Sequence, residues 1–341
     1  MKSARVCWAL FFASMAVDRG KLDKIAIVGC GAVGSFYGAK LCQAGRDVHF
    51  LLRSGYEAVR ENGVCIRGVE GDFHVRPVAA REPAEIGPCD LVIVALKSTA
   101  NHRLGELLPS LVDEHTALLT LQNGLGNEAA LAELFPNRSV FGGMCFVCLN
   151  RIEPGVVQHL AHGKIVMGHY GGAPDELTEA IAGLIRSSGI PVDVSPDLER
   201  AHWEKLVWNI PFNGLGVAGA AGLEATLIGQ LDPNRPIGPC LATDALLDGM
   251  LWEQLVTELM DEVIATGRAL GYDLSPSLGE HQRERTREMG AYRASTLIDF
   301  ERGLPLELDA LFRLPLGQAR AAGVPAPRLA ALCDVLGQLA G

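Results

Sequence analysis

A glycine-rich turn near residue 30 has the composition and spacing of a phosphate-binding element. It follows the apolar run 24–28, precedes an amphipathic stretch that ends near residue 44, and reads Gly29-Cys30-Gly31-Ala32-Val33-Gly34. In such turns the first glycine makes the tight bend, the second lets the backbone approach a pyrophosphate, and the third lets the helix pack closely on its strand. The free N–H groups at the start of the helix attract the anion. We therefore expect these six residues to bind a dinucleotide.

A second set of residues suited to chemistry lies far along the chain, in the stretch 203–213. Positions four and eight apart share one face of a helix, so Lys205, Asn209 and Asn213 are expected to point together. A lysine in a cleft can donate a proton to a carbonyl oxygen as hydride arrives, and asparagines can orient a substrate without adding charge. Pro211 predicts a kink because it lacks an N–H. The stretch indicates either a reduction with Lys205 as proton donor or an ordinary amphipathic helix with an exposed lysine.

Arg53 indicates which dinucleotide binds. It ends the predicted second strand, 46–53, where a site selective for NAD has an Asp or Glu about twenty residues beyond the glycine turn. This chain instead has Arg53 followed by Ser54. A guanidinium and a hydroxyl suit a 2′-phosphate. The sequence therefore predicts NADP(H) rather than NAD(H), the alternative being a solvated charge at the end of a strand.

Two other polar side chains follow buried strands. The apolar run 90–96 ends before Lys97, and the run 117–121 ends before Gln122-Asn123-Gly124. In open α/β sheets, ligands bind outside the carboxyl ends of the strands. Lys97 and Asn123 are therefore expected on the same rim as the glycine turn, although a lysine at a strand end is often only a solvated charge.

The elements that must position these residues indicate an α/β protein with two domains. Apolar strands alternate with helical stretches, which predicts a parallel sheet covered on both faces, extended by antiparallel strands between residues 139 and 170. Beyond a proline-marked break the chain reads as helical, with amphipathic stretches at 242–270, 305–322 and 327–339. We predict an NADP-binding, Rossmann-type parallel sheet domain over residues 24–196 and an all-α substrate and catalytic domain over residues 197–341.

Composition narrows the class of protein further. The 341 residues are 48% hydrophobic and exceed what one core usually fills, which agrees with two domains. The net charge of −10 argues against a nucleic acid or an anionic membrane as the main partner. Nine cysteines without framework spacing fit a cytosolic protein, and no metal site is expected. Cys145, Cys148, His159 and His162 are interpreted as structural. Apolar faces on the C-terminal helices are compatible with a homodimer.

The first 23 residues do not fit the rest of the chain. Lys2 and Arg5 precede an apolar run, 6–17, that resembles a secretory signal but is too short to span a bilayer. Export would separate the protein from its nicotinamide cofactor. We interpret residues 1–23 as an N-terminal extension, either a wrongly assigned start upstream of Met15 or a loosely packed tail.

Together these residues resemble the ketopantoate reductase (2-dehydropantoate 2-reductase) family, from about residue 24 to near the C-terminus. The matching motifs occur in the family's order. They are the G-x-G-x-x-G of 29–34, Arg53, Lys97 in Ala-Leu-Lys, Asn123 in Gln-Asn-Gly, the K-L-x-x-N-x-x-x-N of 205–213, and Ser295 and Glu307 in the segment 294–309. That last segment resembles the family's S-S-M-L-Q-D-x-x-x-G-R-x-T-E-I-D signature with its spacing intact.

The resemblance implies the activity and the groups that perform it. The family reduces ketopantoate to pantoate with NADPH, in pantothenate biosynthesis. Lys205 is implied to be the general acid that protonates the developing alkoxide. Asn209 and Asn213 are implied to hold the substrate, and Ser295 to bind its carboxylate end.

The resemblance also implies a cofactor site that the two domains share. Lys97 and Asn123 would line it, with Asn123 near the substrate as well, and Glu307 would bond to the substrate or the cofactor. Closure of the two domains would exclude water from the reduced nicotinamide and the carbonyl group.

The departures from the family's pattern concern the substrate pocket. Phe312-Arg313 replaces an Asn-Gly pair, Leu223 replaces an Asn, and Ala294 and Leu306 stand where the family has Ser and Thr. A less polar pocket favours a more apolar substrate, because recognition of a hydroxyl depends on matched polar partners. Reduction of another branched 2-oxo acid is therefore the close alternative to reduction of ketopantoate.

Two alternatives come from other classes of protein. β-Hydroxyacid dehydrogenases also join a Rossmann domain to a helical domain with a lysine and an asparagine on one helix, but the segment with Ser295 and Glu307 argues against them. A protein that senses NADPH without turnover has no need of a proton donor such as Lys205. An enzyme is therefore favoured.

Overall fold

A ten-stranded sheet and a set of C-terminal helices make up the fold. The structure, a computed structural model, describes residues 22–341. The interpretation of the N-terminal extension and of Met15 as the start concerns residues that lie almost wholly outside this range. Among the described residues, no helix is both long and apolar enough to cross a membrane.

The sheet is mostly parallel, as predicted. Its strands run in the order β4-β3-β9-β8-β7-β6-β1-β2-β5, and β10 pairs with β9. The antiparallel pairs are β8 with β9 and β3 with β4. The strands are β1 (Lys24–Val28), β2 (Asp47–Leu51), β3 (Val64–Gly68), β4 (Phe73–Val75), β5 (Val78–Ala80), β6 (Leu91–Val94), β7 (Ala117–Thr120), β8 (Val140–Glu153), β9 (Val156–His169) and β10 (Val192–Val194).

The central strands are buried on both faces, which explains their continuous apolar sequences. Along β1, Ile25 and Ile27 join the core on one face of the sheet, and Ala26 and Val28 join the core on the other. This alternation is the two-residue period of an extended strand. Six helices connect these strands: α1 (Ala32–Gln43), α2 (Tyr56–Asn62), α3 (Pro83–Ile86), α4 (Leu104–Leu107), α5 (Asn127–Leu134) and α6 (Glu176–Ser187).

The rest of the described chain is helical and packs around one long helix, α7 (Leu198–Ala218). The proposed domain boundary at residue 196 falls between the end of β10 and the start of α7. A π-helical turn, Asp309–Arg313, precedes the last two helices. The other helices are α8 (Leu223–Ile228), α9 (Thr243–Leu246), α10 (Leu251–Ala269), α11 (Leu278–Arg287), α12 (Ser295–Glu301), α13 (Leu314–Ala321) and α14 (Pro327–Leu339).

Several predicted elements differ from the structure. The two strands expected around residues 155–159 and 164–168 are one strand, β9, which continues through His162 at a φ of 62°. The helix expected over 242–270 is broken between α9 and α10, where Gly249 has a φ of +84°. The helix expected over 305–322 begins only at Asp309. The α7 helix contains Pro211 within its span, Leu198–Ala218, so the predicted kink would lie inside a continuous helix.

Gly34 holds the glycine turn against its strand. A Cβ at this position would collide with the Gly29 carbonyl oxygen and would lie 3.2 Å from the Cβ of Ala95. Gly31 is different, because a Cβ there would meet no atom within 4 Å and its φ of −75° suits any residue. Gly34 is therefore needed for close packing, whereas Gly31 leaves open space beside the turn.

We predict that Gly34→Ala destabilises the protein while Gly31→Ala does not. Forcing a methyl group into the close contact at Gly34 should cost about 1–3 kcal/mol of unfolding free energy. Thermal unfolding of both variants checks this, with Gly31→Ala as the matched control. Equal melting temperatures for the two variants would contradict the packing role of Gly34.

Candidate active site

The glycine turn of residues 29–34 connects β1 to α1 and leaves the start of α1 free for a ligand. Gly29 has a φ of +102°, and a Cβ there would collide with the backbone at Leu96, so the turn needs glycine at this position. The first turn of α1 contains no acidic residue, and Gly31 provides no side-chain cap. Its N–H groups and the open space beside Gly31 fit a pyrophosphate.

Cys30 connects the glycine turn to the end of β2, and Arg53 follows that strand. Burial raises the pKa of the Cys30 thiol, which lies 3.5 Å from the carbonyl oxygen of Leu51. Ala32 and Val33 are partly buried and pack against the core of the sheet. Arg53 is exposed, and no hydrogen bond or ion pair engages its side chain within residues 22–341.

Lys97 joins the rim of the sheet to the helical part of the chain. Its ammonium lies 2.8 Å from Asp299 Oδ2 and 3.3 Å from Glu307 Oε2. The N–H of Ser98 donates to the other oxygen of Glu307 at 2.8 Å. Burial alone would lower the pKa of Lys97, but Glu307 and Asp299 outweigh it and raise this pKa. Lys97 is therefore a cation at neutral pH that pairs with two carboxylates.

Lys205 extends from α7 to the same rim. Its ammonium donates a 2.9 Å hydrogen bond to Asn123 Oδ1, in the loop that follows β7. Burial lowers the pKa of Lys205, against the opposing effects of Cys145 and Glu307. The ammonium also lies 5.6 Å from the centre of the Phe146 ring. This lysine is thus placed and tuned to give up a proton more readily than one in water.

The two asparagines of α7 continue this polar face. Asn213 is buried, and its Oδ1 accepts hydrogen bonds from Ser295 Oγ at 3.3 Å and Thr296 N–H at 3.0 Å. Its amide nitrogen lies 3.5 Å from Asn209 Oδ1, a weak hydrogen bond. α7 and the start of α12 therefore form a chain of neutral hydrogen-bonding groups that begins one turn from Lys205.

A second amide network, absent from the sequence interpretation, fixes the loop that carries Asn123. Gln122 donates to Asn101 at 2.8 Å, and Asn101 donates to Asn127 at 2.9 Å. Asn127 in turn donates to the carbonyl oxygen of Asn123 at 3.1 Å. The sequence around each of these residues is that of an ordinary loop, so only the contacts between distant segments reveal this network.

The sequence analysis did not predict two further residues that lie at the site. Asp299 lies in the motif segment 294–309, and its pairing with Lys97 could have been suspected from that position. Phe146 gives no comparable signal, since an aromatic residue on a strand usually packs in a core. Its side chain is instead 38% exposed beside Lys205.

The positions expected to alter the pocket are mostly buried. Phe312 is fully buried in the core of the helical part and packs beside Gly214, next to Asn213. Arg313 is exposed and pairs with Asp309 at 2.9 Å. In this structure the Phe312 ring packs against α7 beside Gly214 and is not exposed.

His202 and Glu128 form a buried pair that sets the position of α7. His202 Nε2 lies 2.9 Å from Glu128 Oε1, and both side chains are less than 10% exposed. Burial would raise the pKa of Glu128, but His202 outweighs it and lowers this pKa. Because Glu128 is at the start of α5 and His202 is on α7, the pair joins the Asn123 loop to the helix of Lys205.

The fold and this rim of polar groups define an oxidoreductase that uses a nicotinamide dinucleotide. The family model described as Ketopantoate reductase PanE/ApbA matches residues 25–172, and the model of its C-terminal part matches residues 238–340. The chain therefore belongs to the ketopantoate reductase family, whose members act on CH–OH groups.

Individual relatives are similar over nearly the whole chain. The 2-dehydropantoate 2-reductase of Nostoc sp. is 38% identical over 325 residues, which cover 93% of this chain and 95% of the relative. The crystal structure of 2-dehydropantoate 2-reductase from Geobacter metallireducens GS-15 has a TM-score of 0.83 and 42% identity, covering 92% of this chain and 99% of that one. The enzyme of the same name from Methylococcus capsulatus has a TM-score of 0.81 and 30% identity, with coverages of 93% and 96%.

Clusters that would suit a metal ion are not found in the described part of the chain, where no three His, Cys, Asp or Glu side chains converge. His159 Nε2 instead lies 2.6 Å from the carbonyl oxygen of His162. Burial raises the pKa of Cys145 to about 11 and also raises that of Cys148, so both thiols stay protonated at neutral pH.

We predict that Glu128→Ala lowers stability by about 3 kcal/mol. The substitution leaves the buried His202 ring without its partner, and such losses are large. Thermal unfolding measures the effect. Glu114→Ala is the control, because Glu114 contacts His115 in an exposed pair and its loss should leave the melting temperature nearly unchanged. Similar melting temperatures for both variants would contradict the role of the buried pair.

Proposed function

We propose that the protein reduces 2-dehydropantoate (ketopantoate) to pantoate with NADPH, and that Lys205 is the general acid. The observation that carries this proposal is the Lys205 ammonium, held by Asn123 at the carboxyl rim of the sheet with a lowered pKa. The named activity of the relatives over almost the full chain supports the choice of substrate. We place the reaction in the cytosol, where reduced nicotinamide cofactor is available.

Lys205 and Asn123 have different roles in the reduction. A reduced nicotinamide dinucleotide bound at the glycine turn would supply the hydride for reduction of the carbonyl group. Lys205 stabilises the negative charge that develops on the carbonyl oxygen and transfers a proton from Nζ to it. Asn123 holds the ammonium in position by accepting one of its hydrogens. Two further Nζ hydrogens stay available for the substrate oxygen and its surroundings.

The neutral groups on α7 and α12 orient the substrate. Asn209, Asn213 and Ser295 provide amide and hydroxyl groups in one connected set. Such groups hold a carboxylate and a hydroxyl without adding a charge that would compete with Lys205. Lys97 and Glu307 would line the cofactor site, and Arg53 would bind the 2′-phosphate of NADPH.

A more apolar 2-oxo acid is the second candidate substrate. The exposed Phe146 ring beside the Lys205 ammonium favours it, since a ring at this place offers apolar contact to a substrate side chain. The apolar residues Ala294 and Leu306 stand where the family has hydroxyl side chains. Both are buried, so they reduce the polar groups available near α12.

We predict that Lys205→Ala lowers kcat for ketopantoate by about 10²–10⁴-fold, the usual effect of losing a general acid. The assay is NADPH oxidation by the purified protein started at Met15. Lys164→Ala is the control, because Lys164 pairs with Asp193 on the surface and should leave kcat unchanged. A Lys205→Ala enzyme that retains full activity would exclude Lys205 as the proton donor.

The rate of reduction should fall on the alkaline side at a pH below that of an ordinary lysine. The pKa of Lys205 is lowered, so the protonated acid disappears as pH rises through this lowered value rather than through about 10.4. A pH profile of kcat/KM for ketopantoate reduction measures the pH at which the rate falls on the alkaline side. An activity that stays constant to pH 10 would contradict the assignment.

The substrate is tested with a panel of 2-oxo acids, including plainer and bulkier relatives of ketopantoate. The proposal predicts the highest kcat/KM for ketopantoate. A clear preference for an acid with a larger apolar side chain, weakened by Phe146→Ala, would instead establish the second candidate. NADPH binding without turnover of any acid would favour a cofactor-sensing protein.

A further inference from the structure

Four arginines lie around the loop that follows β2, although the net charge of the chain is −10. Two of them already have a carboxylate partner. Arg60 and Arg81 lie 5.6 and 4.5 Å from the centre of the Tyr56 ring, and they pair with Glu57 at 2.8 and 2.5 Å. The other two, Arg53 and Arg151, have no carboxylate partner among residues 22–341. The loop therefore has two guanidinium groups available for an anion.

Arg151 belongs to the β8–β9 hairpin, far from the glycine turn in sequence. Its side chain is half-buried, and one guanidinium nitrogen lies 3.1 Å from the place of a Cβ on Gly55. Pro154 of the same hairpin also packs against Gly55. The hairpin thus covers the loop of Arg53 and brings a second arginine to it.

The charge of Arg151 also reaches the glycine turn. It lowers the pKa of Cys30, against the larger opposing effect of burial. The Cys30 thiol contacts Leu51, the last residue of β2, at 3.5 Å. Arg151 therefore lies beside the space between the glycine turn and the end of β2, where the adenosine ribose of a bound dinucleotide is expected.

We propose that Arg151 binds the 2′-phosphate of NADP(H) together with Arg53. This inference rests on the proposed function, which supplies the cofactor. A half-buried guanidinium without an acceptor has lost part of its hydration, and a phosphate offers several oxygens in the planar geometry that arginine prefers. The hairpin is thereby a determinant of cofactor selectivity in addition to the strand-end arginine.

The test compares the dissociation constants of NADPH and NADH, measured by fluorescence titration without substrate. The two cofactors differ only in the 2′-phosphate. Arg151→Gln and Arg53→Gln should each weaken NADPH binding about 10–100-fold, as for loss of a hydrogen bond to a charged group, and change NADH binding by about twofold or less. Arg320→Gln is the matched control, because Arg320 is an exposed arginine on α13 whose loss removes the same charge.

A structural role for Arg151 would give a different pattern. If Arg151→Gln weakens NADPH and NADH equally, or leaves both unchanged, the inference is overturned. Arg151→Lys guards against a folding defect: it keeps the charge, and the inference predicts NADPH affinity between those of the wild type and Arg151→Gln. Equal affinity of Arg151→Lys and Arg151→Gln for NADPH would count against the inference.

The outcome also separates this inference from the proposed function. Wild-type protein that prefers NADPH while Arg151→Gln keeps the full preference would overturn only the role of Arg151. Wild-type protein that binds NADPH and NADH equally would overturn both the NADPH dependence and the inference. Neither outcome depends on the identity of the 2-oxo acid.

Discussion

The hydrogen bond between Lys205 and Asn123 is the interaction on which the site depends. It joins a helix of the C-terminal part to a loop of the sheet and brings an ammonium to the rim where ligands bind. Burial of this ammonium in the structure lowers the pKa of Lys205. The hydrogen bond positions the ammonium, and its burial makes the lysine a better proton donor.

The surrounding structure holds the two partners of this bond in place. The buried pair of His202 and Glu128 fixes α7 against α5, and the amide network through Asn127 fixes the Asn123 loop. Lys97 adds a second connection, since its two carboxylate partners come from the helical part. The N–H of Leu125 also donates to the carbonyl oxygen of Ala310 at 2.9 Å, which ties the loop to the π-helical turn.

Much of the fold and several elements of the site could be predicted from local sequence. The strand 24–28, the glycine turn and the last helix, 327–339, have strong local signals: an apolar run, fixed glycine spacing, and proline at the first helical position. The break before α10 was missed because the Asp248-Gly249 turn lies within an otherwise helical period. The continuity of β9 was missed because the sequence shows two separate runs, 155–159 and 164–168, where the structure has one strand with irregularities in its pairing.

The contacts that make the site could not be predicted in this way. Lys97 and Asp299 are 202 positions apart, and neither residue type alone indicates the partner. Phe312 looked like a change in a pocket because sequence gives its position in a motif but not its burial. Arg151 lies on a hairpin whose length was not foreseen, so its approach to Gly55 became visible only in three dimensions.

The most direct measurement of the central claim is a double-mutant cycle on kcat/KM for ketopantoate, with Asn123→Ala, Lys205→Ala and the double variant. If Asn123 acts by holding Lys205, the double variant should be no slower than Lys205→Ala alone, because the bond is already lost. If the fold-losses in kcat/KM of the two single variants multiply in the double variant, the account is contradicted, because each residue then acts independently of the other.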